Sequence, residues 1–302
     1  MSQQKIELLK ARDFSEIIND TFLFIRQNFK PLINCFFTFC GFFIIASIAT
    51  LFMQQLRVEE AMNSVNTFDH DAITSFSYTS RLKFLGWDYI LVLLFSLLNS
   101  VMISTTVYSY MALYKEKSGV VPTTHEVWGY IRYYFLRILG ATVVMAILFI
   151  LGLVFCLAPG IYLFPIFGLV VPLMIFENTS FGYAFNQSFR LIKNYWWTTF
   201  GAIFVIVIIV YFCSAFVMVP VTLVRLSGLF LHPQNGLHTS AGITLLTTIL
   251  QALCTIFHIL VNVTVALCYF NLTEVKEGTG LLDRMQNFGN PDAPSDQPAE
   301  EY

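Results

Sequence analysis

Residues Ile138 to Phe176 read ILGATVVMAILFILGLVFCLAPGIYLFPIFGLVVPLMIF, 39 consecutive positions without Asp, Glu, Lys or Arg, with Ala158-Pro159-Gly160 near the middle. One helix needs only about 20 apolar residues to cross a hydrocarbon core of roughly 30 Å. A run of this length therefore has to enter a bilayer, turn at Pro159-Gly160 and return, and it predicts a transmembrane hairpin.

Working outward, comparable uncharged runs extend over Pro31–Leu56, Tyr89–Tyr114, Asn194–Val224 and Leu226–Thr273, the last with a polar stretch from His232 to Ser240. They predict six spans near 32–53, 89–113, 138–157, 160–177, 197–222 and 243–271. All should be helices, because an isolated extended segment leaves its N–H and C=O groups without partners in lipid. The fold expected is all-α, a polytopic membrane protein. Composition agrees: 56% of residues are hydrophobic and 12% charged, with a mean hydropathy of +0.67. The first apolar run begins near Pro31 behind a charged, amphipathic approach, unlike a cleaved signal peptide.

Lys and Arg fall unevenly between these spans. With the N-terminus inside, 13 of the 17 lie on inside segments, and only Arg57, Arg81, Lys83 and Arg225 lie outside. The positive-inside tendency places both termini in the cytoplasm and makes Gln54 to Asp88 the one sizeable external loop. Residues 1–277 are expected to form one integral membrane domain and 278–302 an acidic tail, mostly disordered and rich in Pro, Asp and Glu. The six Cys residues all fall in spans and none in an external loop, which suits small packing side chains rather than disulfides.

A short pattern recurs before the first, third and fifth spans: Ile25-Arg26-Gln27-Asn28-Phe29, Ile131-Arg132-Tyr133-Tyr134-Phe135 and Ile192-Lys193-Asn194-Tyr195-Trp196. Each sits on an amphipathic segment. Phe14, Ile18, Phe22, Ile25 and Phe29 form one stripe at helical spacing, Trp128, Ile131, Phe135 and Ile138 a second, and Phe181, Phe185, Phe189, Ile192 and Trp196 a third. Apolar stripes flanked by basic residues beside a span suit helices lying in the membrane interface. The chain thus reads as a threefold repeat of interfacial amphipathic helix plus hairpin, over about 11–114, 122–177 and 180–273. Arg26, Arg132, Arg190 and Lys193 are the expected contacts to lipid headgroups.

The segments Ala158-Pro159-Gly160-Ile161-Tyr162-Leu163, Val171 to Glu177, Ala184 to Lys193 and Trp196-Trp197 together resemble the membrane domain that precedes the catalytic domain of some bacterial glycerophosphodiester phosphodiesterases, and its stand-alone six-span relatives. The ending, Tyr269 to Gly278 with Leu281-Leu282-Asp283-Arg284, is similar to Bacteroidetes-type sequences of that family. The resemblance covers most of 11–285 and implies a lipid-associated membrane module. It does not imply phosphodiesterase activity, which belongs to a separate soluble domain.

Within the spans, Gln251, His258 and Asn262 lie at offsets of seven and four, on one helix face that should meet protein or water rather than lipid. Pro165 and Pro172 free backbone carbonyls in the fourth span, and broken helices of this kind build binding sites in transporters. These five residues define a candidate cavity between the hairpins. The sequence shows no nucleophile with a base at recognisable spacing and no metal-ligand pattern, so no catalytic, metal or cofactor site is expected. Two roles follow. One is a non-catalytic module that organises membrane lipids or a membrane or cytoplasmic protein partner; the other is a small transporter or lipid-handling protein using the cavity. Nucleic acid is not an expected partner.

Overall fold

The computed structural model describes residues 6–65, 86–155, 157–231 and 241–278. The tail expected to be disordered, most of the external loop and Cys156 lie outside the described residues. Among the described residues every regular element is a helix: α1 (Phe14–Val65), α2 (Trp87–Glu116), α3 (Thr124–Phe155), α4 (Leu157–Phe176), α5 (Phe181–Ile192), α6 (Trp196–Leu231), α7 (Ala241–Cys254) and α8 (His258–Glu277), with one turn of 3₁₀ helix, Thr255–Phe257, joining α7 to α8. Gln54 to Val65, expected as loop, continue α1.

Five helical stretches are long and apolar enough to cross a membrane: Phe14–Glu59, Trp87–Glu116, Thr124–Val154, Trp196–Ser227 and Ala241–Glu277. The fourth expected span is shorter. Its apolar part, Gly160–Phe176, rises about 25 Å at 1.5 Å per residue, less than the roughly 30 Å of a hydrocarbon core. Its contacts show how it lies. The Tyr162 ring stacks on Trp196 at the start of α6, and Phe176 stacks on Phe270 near the end of α8. The first turns of α6, the start of α1 and the end of α8 share one end of the molecule: Phe14 borders Gly201, and the Arg12 N–H donates to Asn271 Oδ1 at 2.7 Å. With its first and last turns both on that end, α4 lies across it.

The sixth expected span is also modified. The 3₁₀ turn interrupts it between Gln251 and His258, although no Gly or Pro occurs there.

The amphipathic segments enter their long helices in three ways. In the first, α1 bends at Asn28, whose φ of −109° and ψ of 17° leave the helical region. Pro31 explains the bend: its ring clashes with the carbonyl four residues back and it brings no N–H. The Asn28 side chain repairs the break, its Nδ2 donating to the Phe24 carbonyl at 3.1 Å while its Oδ1 accepts from the Tyr110 hydroxyl at 2.9 Å. The second segment runs unbroken into α3. The third, α5, is a separate helix parted from α6 by Lys193–Tyr195, and Ser180 is its N-cap without a side-chain cap bond.

The buried faces differ from the aromatic stripes. In α1 the buried positions are Ile17, Thr21, Phe24 and Asn28, whereas Phe14, Phe22 and Phe29 are exposed. In α5 Ala184, Gln187, Ser188, Leu191 and Ile192 are buried, and Phe181, Phe185 and Phe189 are only half-buried. Both segments have two apolar faces, and smaller side chains such as Ala184 and Ser188 occupy the inner one because they let neighbouring helices approach closely.

At this end α2, α4 and α8 pack against one another. Thr105–Tyr114 of α2 and Val263–Glu274 of α8 are buried on all sides. Toward the other end the helices expose long apolar faces, including Leu93 and Leu94 of α2 and Phe212 and Phe216 of α6.

Candidate functional site

A cavity of about 420 Å³ opens where α1, α2 and the α7–α8 junction meet. Nine of its thirteen lining residues are polar: Ser47 from α1; Ser96, Asn99, Ser100 and Ser104 from α2; and Gln251, Thr255, His258 and Asn262 from the broken last span. Leu51, Ile103, Ala252 and Val261 complete the wall. The serines reach one face of α2 because 96, 100 and 104 follow the four-residue helical spacing.

Two of these side chains lack partners where water cannot reach them. Asn99, 4% exposed, and Ser47, 7% exposed, have Oδ1 and Oγ atoms respectively that accept or donate no hydrogen bond in the protein. Leaving a buried polar atom unpaired costs about 1–3 kcal/mol, and strain, an ordered water or a bound group can each account for such an atom. Other polar groups are already engaged: Thr255 Oγ1 donates to the Ala252 carbonyl at 2.6 Å, and Asn262 Nδ2 to the His258 carbonyl at 2.9 Å. Gln251 and His258 are exposed toward the open side.

No carboxylate, Lys or Arg lines the cavity. Its chemistry is that of hydroxyls, amides and one imidazole, which donate and accept hydrogen bonds without offering a counter-charge. Among the described residues no group of His, Cys, Asp and Glu is arranged to hold a metal ion.

The structure brings Gln251, His258 and Asn262 to this one cavity and adds Ser47, Ser96, Asn99, Ser100, Ser104 and Thr255 to them. Asn99 is a polar residue within an apolar run, and the spacing of the serines on α2 was likewise a readable signal. Pro165 and Pro172, expected on the same cavity, do not line it. Both are buried within α4, which continues through them and lies across the opposite end.

Beyond the cavity, toward the far end, side-chain contacts tie the lining helices together. Arg57 pairs with Asp88 at 2.6 Å, and Arg225 Nη2 donates to Gln55 Oε1 at 3.0 Å and lies 3.9 Å from Glu59 Oε1, which also accepts from Thr244 Oγ1 at 2.9 Å. Glu59, Asp88 and Thr244 lie seven or eight positions from the nearest-facing lining residues Leu51, Ser96 and Gln251.

The four expected headgroup contacts are exposed: Arg26, Arg132, Arg190 and Lys193. They do not form one site. The Arg190 carbonyl accepts from the Lys276 ammonium, and Lys193 borders an aromatic groove with Trp196 and Trp197. Arg12, by contrast, is buried and structural, its guanidinium held by Asp20 and by the carbonyls of Glu7, Leu8 and Lys10.

Set beside protein-family models, curated proteins and solved structures, the chain matches none of them.

Proposed function

We propose that this chain is a non-catalytic, multi-pass membrane protein that binds a polar solute or lipid headgroup in the cavity between α1, α2 and the α7–α8 junction, and so serves transport or lipid handling. One observation carries this reading: the unpaired buried atoms Asn99 Oδ1 and Ser47 Oγ lie in a 420 Å³ cavity built from hydroxyls and amides on otherwise apolar helices. A helix interrupted at mid-length beside such a cavity is a recurring device of transporters. Of the two roles expected from the sequence, organising a partner and handling a lipid or solute, the cavity favours the second. The resemblance to the phosphodiesterase membrane domain supports a lipid-linked setting.

The topology belongs to the same proposal: both termini in the cytoplasm of a bacterial inner membrane, and three amphipathic segments at the interface. The 13-to-4 distribution of Lys and Arg supports the orientation. Burial supports the repeat. Leu32, Ile138 and Thr199 are buried at equivalent positions, as are Cys35, Ala141 and Ala202. Thr21 and Ser188 are equivalent too, and each hydroxyl donates to the carbonyl four residues back at 2.8 Å.

Mass spectrometry of lipids and metabolites co-purifying with the protein tests the function. A species retained by the wild type should be lost from the Asn99→Leu/His258→Phe variant while its melting temperature is kept. An identical set of bound species in the folded variant would remove the cavity from the function.

A further inference from the structure

A second concave surface lies at the junction of α5 and α6, away from the polar cavity. Ile161, Tyr162, Lys193, Asn194, Trp196 and Trp197 line a groove of about 510 Å³. Its floor is fixed. Trp196 Nε1 donates to the Tyr162 carbonyl at 3.1 Å, their rings stack at 5.9 Å, and Trp196 stacks in turn on Phe200 at 4.9 Å. Its rim is free: Trp197 is 78% exposed and stands edge-on to Trp196.

The charge of the rim is positive. Lys193 is exposed and, among the described residues, pairs with no carboxylate. Arg190 lies one turn earlier, and the Lys276 ammonium rests on the Arg190 carbonyl. Glu177, which lies within electrostatic reach of Arg190, is engaged by the Tyr269 hydroxyl at 2.9 Å. The groove also opens at the start of α6, where the first amides have no carbonyl partner within the helix and its dipole favours an anion. Beyond it the exposed apolar side chains Phe204 and Ile208 continue along α6.

We infer that this groove binds one anionic phospholipid, its phosphodiester held by Lys193 and Asn194 and its glycerol and upper acyl carbons lying on Trp197 and Ile161. Both halves of the surface are needed. A free phosphate would use the Lys193 side and leave the indole and Ile161 uncovered, whereas a lipid covers them and extends its chains along α6. An exposed Trp beside a Lys is the pairing expected where headgroups meet acyl chains. This inference stands independently of the polar cavity.

Native mass spectrometry of the purified full chain, titrated separately with phosphatidylglycerol, phosphatidylcholine and inorganic phosphate, tests it. The wild type should hold one phosphatidylglycerol in preference to phosphatidylcholine. Lys193→Gln should weaken that binding about fivefold, the effect of one lysine at an anionic surface, and Trp197→Ala should weaken both lipids. Lys30→Gln, exposed on α1, should leave binding unchanged. Both test side chains are exposed, so folding should survive, and a matched melting temperature confirms it for each variant. Equal binding of the two lipids, unchanged binding by the Lys193 and Trp197 variants, or displacement of the lipid by inorganic phosphate would each overturn the inference.

Discussion

Tyr110, fully buried on α2, donates its hydroxyl to Asn28 Oδ1 at 2.9 Å, at the one residue where α1 leaves helical geometry. The bond couples the bend of α1 to α2, and Asn28 completes the repair by donating to the Phe24 carbonyl. Phe24 itself packs edge-on against both Tyr110 and Tyr114. Removing only the hydroxyl in Tyr110→Phe strands a buried acceptor, which should cost about 1–3 kcal/mol. Thermal or denaturant unfolding in mild detergent measures this. A change within about 0.5 kcal/mol, the range of a surface substitution, would mean that the bend rests on Pro31 alone.

Asn99→Leu should separate stability from function. The native side chain buries an unpaired Oδ1, so replacing it by an apolar group of similar size should be neutral or stabilise by about 1 kcal/mol, while ligand retention in the cavity falls. Melting temperature and co-purified ligand, measured on the same preparation, give the two readouts. Loss of stability together with retained ligand would show that Asn99 is a packing residue.

The contacts of Arg225 with Gln55 and Glu59 lie beyond the cavity, on its far side. In a protein lacking the exposed Cys213, a cysteine placed at Ser100 reports access from that side. Adding Arg225→Gln should speed its labelling by a membrane-impermeant thiol reagent up to about fivefold, the scale of one partly exposed ion pair. Unchanged labelling would show that these contacts do not control entry.

Glu177 follows the end of α4, half-buried, and burial pushes its carboxyl above its ordinary value of 4.5, with the Tyr269 hydroxyl pulling it back. A carboxyl with a raised folded value binds its proton more tightly in the folded state. Its stabilising contribution is complete below the unfolded value and is lost as pH rises through the folded value. The wild-type melting temperature should therefore contain a component that falls as pH rises from the ordinary value of 4.5 through the raised folded value. Glu177→Gln keeps an acceptor for Tyr269 and should remove that component. Parallel pH profiles of the two proteins would exclude Glu177 as its source.

Several elements were legible in the chain for physical reasons. Long uncharged runs cannot be hidden from water in any other way, so the helices and their apolar character follow from composition along the sequence. Helical periodicity alone puts Gln251, His258 and Asn262 on one face, and Pro31 predicts a disturbance of α1. The start of α5 at Phe181 was also readable from the polar residues before it.

What the tertiary structure decided is which faces meet. Helix spacing leaves α1 and α5 with two apolar faces each, and only packing against neighbours selected Ile17, Thr21 and Phe24 over Phe14, Phe22 and Phe29. The serines of α2 became cavity residues because α7 and α8 lie opposite them, a relation between segments some 150 positions apart. The 3₁₀ turn at Thr255–Phe257 has no Gly or Pro to announce it, and Pro165 and Pro172 left the expected cavity because α4 lies across the end of the molecule. Periodicity reports the geometry of one helix with itself, whereas a cavity is a property of helices with one another.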